Sequence, residues 1–294
     1  RVGYTIGTAD VWCGFNAATG WQSLGAFTFM VLWGLWMARA HLARVFRTGL
    51  AWRRSPEDER ELISYRSATW ILVFCFIYLT AWLMQTGMHL GVALLFLAVS
   101  LVIYLGMAKI IAMAGLVSVK APAEAGDLVS GIVGTANFDP STRLSINMMM
   151  AVNGVHKGFA MPAAATAARL GDELPHSRHT VGKALIVGGL LALVVGVLWH
   201  IRLAYEDGAQ NYEYWSFNIV NTAPYQRTVA EALNPKGTEW GPLAYMAVGG
   251  LVVAVLTAAL YRFSWWPVHP IGFTVANTWT IEVSAFSLFL AWAM

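Results

Sequence analysis

Stretches of about 20 consecutive apolar residues, repeated along the chain, constrain this sequence more than anything else in it. Crossing a hydrocarbon core of roughly 30 Å takes about 20 residues of helix, and any other open backbone would leave its N–H and C=O groups unpaired in lipid. "VGKALIVGGLLALVVGVLWHIRL" at 181–203 is one such stretch. Others lie near 21–38, 68–87, 90–112, 241–261 and 268–294. The expected fold is therefore an all-α integral membrane bundle of about six transmembrane helices. The second and third, separated only by Met88 and His89, are expected to form a tight helical hairpin.

Composition agrees with the hydropathy: 57% of the 294 residues are hydrophobic, 12% are charged, and 14 are tryptophans. A net charge of +3, with basic residues scattered through helix ends and loops, gives no basic stripe for nucleic acid. Cys13 and Cys75 stand in a polar lead-in and an apolar run, so no disulfide framework or zinc site is expected. The chain starts at Arg1 and ends inside an apolar run, and is expected to be a segment of a longer one, with 1–294 as a single transmembrane domain.

Arginine placement gives an expected orientation. The 39–66 loop carries Arg39, Arg44, Arg47, Arg53, Arg54, Arg60 and Arg66, and is expected on the cytoplasmic side. The 204–240 loop, with Glu206, Asp207, Glu213, Glu231 and Glu239 against Arg227 and Lys236, is expected outside. Within the first loop, Ser55 and Pro56 read as the N-cap and first position of a surface helix. A regulatory or lipid-binding basic patch is the competing reading of its charge.

Residues 115–180 are too polar for a span and too apolar for a solvent loop. Either a re-entrant hairpin turning near Asn153-Gly154 or Met161-Pro162, or a surface amphipathic helix followed by an Ala-rich helix at 163–170, satisfies both facts. Asn147, Asn153 and His156 are the polar residues of this region with a place in a solute path.

Two further residues carry charge at membrane depth. Lys109 lies near the end of the third span, where it either snorkels to the headgroups or forms a buried ion pair. Glu282 lies about 14 residues into the last stretch, where a lone carboxylate costs several kcal/mol. Thr274, Thr278 and Glu282, with Asn277 beside them, make a short polar stripe, and Glu282 is either a coupling acid or a hydrogen-bonded structural one. No phosphate loop, dinucleotide fingerprint, zinc-protease helix or nucleophile elbow is present, so neither enzyme activity nor a cofactor is expected.

"RFSWWPVHPIGF" at 262–273 combines Trp265, Trp266, Pro267, His269 and Pro270. It reads as an interfacial turn in which the tryptophans sit at headgroup level, the prolines break the backbone, and His269 caps the next helix.

The order of "SWWPVHPIGF" before a span ending "FLAWAM", a hairpin running to "MAKIIAMAG", and an "MP" followed by "LGD" resembles an uncharacterised prokaryotic membrane family related to the oligopeptide transporter superfamily. That resemblance implies a many-helix secondary transporter of the prokaryotic inner membrane, moving a small polar or peptide-like solute with proton coupling. Departures at Ala108-Lys109 and at Ala163, Ala164, Ala165 and Thr166, where the family would carry polar groups, leave a second expectation open. In it the chain is a non-transporting scaffold subunit whose partners are lipid and other membrane subunits.

Overall fold

The computed structural model describes residues 17–51, 63–114, 121–153, 160–171, 178–212, 219–276 and 279–293. Every regular element among them is helical: α1 (Ala17–Met37), α2 (Arg39–Leu50), α3 (Tyr65–Gln85), α4 (Leu90–Ala114), α5 (Ala125–Val133), α6 (Pro140–Asn153), α7 (Ala160–Gly171), α8 (Arg178–Leu203), α9 (Ala209–Tyr212), α10 (Val220–Leu233), α11 (Trp240–Arg262), α12 (Pro270–Val275) and α13 (Trp279–Ala293). A π-helical turn, Ala204–Gly208, continues α8, and a 3-10 turn, Thr135–Asn137, follows α5.

Among the described residues four helices are long and apolar enough to cross a membrane: Tyr65–Gln85, Leu90–Met113, Thr180–Gly208 and Trp240–Arg262. A fifth is obtained if Ala18–Met37 and Arg39–Leu50, bent 63° from each other, count as one span. The protein is thus an all-α chain of integral-membrane character. In the expected last span, 268–294, the described residues form α12 and α13, of 6 and 15 residues, and Asn277 and Thr278 between them lie outside the described residues. The 39–66 stretch is not an open loop at its start, because α2 follows α1 almost at once; Ser55 and Pro56 lie outside the described residues. Ser64 caps α3, its side chain accepting from the Ser67 backbone N–H. Residues 204–240 hold α9 and α10.

The core forms where small residues let backbones meet. A Cβ on Gly25 of α1 would lie 1.8 Å from the Met246 carbonyl oxygen of α11, and one on Gly249 would lie 1.9 Å from that of Gln22. Glycine is required at both positions by this close approach. α4 packs on the other side of α1, where Gly106 accommodates Phe27 and Val31. Trp21, Leu24, Phe27, Met107 and Ile110 are buried at this junction.

The α3–α4 connection is the expected tight turn. Gly87, at φ +93°, supplies the left-handed residue that reverses the chain, and the His89 Nδ1 accepts from the Gly91 backbone N–H as α4 begins. Toward the opposite end of α4, Arg169 of α7 donates to the Ala112 carbonyl oxygen (3.2 Å), tying the two helices together. The expected Ala-rich helix is present as α7, and Met161-Pro162 lies inside it, so no chain reversal occurs there.

Between these ends α5 and α6 form a short helical hairpin. Gly131 of α5 packs on the Trp21 ring, and its carbonyl oxygen accepts from the Glu239 backbone N–H (3.0 Å), which places the end of α5 beside the starts of α1 and α11. The chain reverses at Gly134, whose φ of +86° and whose packing against Gly237 and Thr238 exclude a side chain. α6 then begins beside the α3–α4 turn, where Thr142 Oγ1 donates to the Gly87 carbonyl oxygen (3.2 Å) and accepts from the His89 backbone N–H (3.0 Å). A reversal therefore falls at 134–139, upstream of Asn153-Gly154, where residues 154–159 lie outside the described set.

Asp139 opens α6 by accepting from the Thr142 backbone N–H and from the Ser141 hydroxyl. The Ser141 bond first, and then the Thr142 bonds, lower its carboxyl to about 2. A depressed carboxylate stabilises the fold above its ordinary range and loses that contribution as pH falls through the folded value. Asp139→Asn is therefore expected to be less stable than the parent at pH 7, with the two converging as pH approaches about 2. Denaturation midpoints across that interval check it.

Candidate functional site

α10 turns its polar side inward. Pro224 and Glu231 are buried and Arg227 and Thr228 half-buried, at the i, i+3, i+4, i+7 spacing of one helix face, while Tyr225, Val229 and Leu233 are exposed. A soluble protein would reverse this arrangement. The inward face meets α5 and α6, and there the three helices enclose a cluster of charges.

Arg227 stands at its centre. Its Nη2 donates to Asp127 Oδ1 of α5, and its Nε donates to Glu231 Oε1 one turn along α10 (3.2 Å). The three side chains are only 13%, 7% and 8% exposed for Arg227, Asp127 and Glu231. Asn147 of α6 closes the ring, donating through Nδ2 to Glu231 Oε2 (2.9 Å) and to Thr228 Oγ1 (3.1 Å). Thr228 in turn donates to the Pro224 carbonyl oxygen (2.8 Å). Asp127 also accepts from the Glu124 backbone N–H, the capping box that starts α5.

The electrostatics are uneven by design of the residue set: two buried carboxylates share one guanidinium. Burial alone would lower the Arg227 pKa, but the charge and hydrogen bond of Asp127, then the charges of Glu231 and Glu124, outweigh it and raise the group above its ordinary value. Such a cluster holds its cation firmly in a place poor in water. Among the described residues no three of His, Cys, Asp and Glu are grouped to hold a metal ion.

Of the residues singled out in the sequence, Asn147 belongs to this cluster. Lys109 does not; it is half-buried on α4 with its Nζ over Gly34 of α1, 2.6 Å from where a Cβ on that glycine would sit. Among the described residues it forms no ion pair. His156, Asn277 and Thr278 lie outside the described residues. Asn153 ends α6 and Glu282 lies in α13, with side chains likewise outside the described set. Thr274, the first residue of the polar stripe, is buried and donates to the Pro270 carbonyl oxygen (3.2 Å).

The tryptophan turn is built as a helix cap. His269 Nδ1 accepts from the Ile271 backbone N–H (3.2 Å) with Pro270 at the first helical position of α12. Trp265 is exposed with its ring 5.9 Å from that of Trp266, and Pro267 is exposed beside them.

Asp127, Arg227 and Glu231 were not recognised as site residues from sequence. The signal was the 3-4-7 spacing of Pro224, Arg227, Thr228 and Glu231, which reads as loop polarity until the helix is known.

Residues 2–294 match a family of unknown function, DUF6785, and the chain belongs to that family. No curated protein and no solved structure matches it.

Proposed function

Taking that membership as the premise, we propose that the chain is a secondary-transporter-like protein of a prokaryotic inner membrane, moving a small polar or peptide-like solute with proton coupling. The observation that carries the reading is the buried Asp127–Arg227–Glu231–Asn147 cluster, held between a short helical hairpin and a helix whose polar face looks inward. Charge kept out of water in a membrane protein is expensive, and it is characteristic of solute and proton paths. Broken helices support the same reading, since their ends leave backbone groups open to a ligand. α5 and α6 are two such short helices, reversing at Gly134 beside the start of α11 and the α3–α4 turn.

In this proposal Glu282 exchanges the coupled proton. Asn147, Asn153, His156, Asn277 and Thr278 line the solute path, and Lys109 supplies a counter-charge. The arginine-rich 39–66 segment faces the cytoplasm.

Proteoliposomes holding a pH-sensitive dye and given a di- and tripeptide panel under an inward proton gradient test it. Peptide-dependent acidification of the lumen is expected, and it is expected to collapse in Glu282→Gln. No peptide-dependent proton movement by the parent chain contradicts transport, whereas movement unchanged in Glu282→Gln removes only that residue's coupling role.

A second reading, a non-transporting subunit of a larger membrane complex, is favoured by α8. The most apolar window of that helix has no buried residue, and Gly188, Gly189 and Gly196 have nothing within 4 Å. Recovery from mild detergent only as a stoichiometric complex with other subunits supports the second reading, and recovery as a monomer or homodimer the first.

A further inference from the structure

α2 carries three parallel stripes. Leu42, Val45 and Gly49 face α3, with Gly49 buried so closely that a Cβ would lie 2.2 Å from Thr69 Oγ1. One residue further on, Ala43, Phe46 and Leu50 form an exposed apolar stripe, Phe46 being 39% and Leu50 58% exposed. One residue beyond that, Arg44 and Arg47 line its edge, both exposed. Every charged residue between Arg39 and Ala51 is an arginine.

The helix leaves α1 at a 63° bend, so it turns away from the direction of a spanning helix toward the plane of the membrane. The bend is held by Arg39, whose Nη1 donates to the Trp36 carbonyl oxygen (3.0 Å) and whose guanidinium lies 4.6 Å from the Trp36 ring centre. Trp36 and Met37 are themselves exposed there.

We propose that α2 is an interfacial helix that binds anionic lipid headgroups, with Phe46 and Leu50 set into the acyl boundary and Arg44 and Arg47 on the phosphates above it. The occupant follows from charge and position together. A surface-lying helix with an apolar stripe bordered by cations matches a layer that is apolar below and anionic above. A soluble acidic partner would match the arginines but leave Phe46 and Leu50 without a reason for their exposure beside the end of a span.

The test reconstitutes the full chain in phosphatidylcholine vesicles doped with spin-labelled phosphatidylglycerol or spin-labelled phosphatidylcholine, and measures the motionally restricted fraction of each. A preference for phosphatidylglycerol is expected, falling by about fivefold for each arginine lost in Arg44→Gln and Arg47→Gln. Arg202→Gln, at the end of α8, where the arginine is already paired with Glu206 (2.9 Å), is expected to change it by less than twofold. Equal losses in the α2 variants and in Arg202→Gln would reduce the effect to general charge at a helix end and overturn the proposal, as would absence of any preference in the parent. Phe46→Ser is expected to lower the restricted fraction of both lipids; no change there removes the inserted stripe. Unaltered helicity and melting in pure phosphatidylcholine identify the variants that remain folded, and the two arginine substitutions, at exposed positions, are read singly for that reason.

Discussion

Replacing Arg227 by methionine is expected to cost about 3–5 kcal/mol, the largest effect of any single polar substitution in the structure. The guanidinium is the shared partner of Asp127 and Glu231, and all three side chains are largely buried. Removing it leaves two carboxylates without their cation in a low-dielectric place, which is far more costly than removing the whole set together. The loss has a pH signature. Unpaired buried carboxylates have raised pKa values, and a raised carboxylate destabilises the fold at pH above that value and ceases to do so as it is protonated. The deficit of Arg227→Met is therefore expected to be large at pH 8 and to shrink toward pH 5, measured by denaturation in a constant detergent. A deficit independent of pH would mean that the arginine acts through packing.

The second large effect is expected at the α1–α11 crossing. At Gly249 even a methyl group would sit 1.9 Å from the Gln22 carbonyl oxygen, and a backbone atom cannot swing aside as a side chain can. Gly249→Ala is expected to cost about 1–3 kcal/mol, and Gly249→Leu more, because the two helices must separate along their most intimate contact. Gly188→Ala on α8, where nothing lies within 4 Å, is the matched control and is expected to be neutral or slightly favourable. Recovery of folded protein by fluorescence-detected gel filtration ranks the three. Comparable recovery of Gly249→Leu and Gly188→Ala would contradict the crossing.

What could be read from sequence was what depends on local pattern. The spans realised as α3, α4, α8 and α11 were legible because apolar length is itself the cause of a spanning helix. The Ala-rich α7 and the cap at His269-Pro270 were legible because helix propensity and capping act over a few residues. The helix α2 was not, because a run of positive charge between spans reads as loop whether or not its backbone is helical.

The cluster was hidden for a different reason. Glu231 and Arg227 lie among other charges between two spans and so resemble solvated loop residues, and their partners Asp127 and Asn147 stand 104 and 84 residues before Glu231 in the chain, the latter pair joined by the Asn147–Glu231 bond. Asn147 was visible as an unusual polar residue but not as a donor to a buried carboxylate. Only the hairpin of α5 and α6, whose corner depends on Gly134, brings these positions together.

The central claim is that Asp127, Arg227 and Glu231 act as one unit fastening α10 to that hairpin. A double-mutant cycle between Asp127→Asn and Arg227→Met, read by reversible denaturation at pH 7.5, tests it most directly. The account predicts strong coupling, an interaction energy of about 2–3 kcal/mol; additivity within about 0.5 kcal/mol would contradict it.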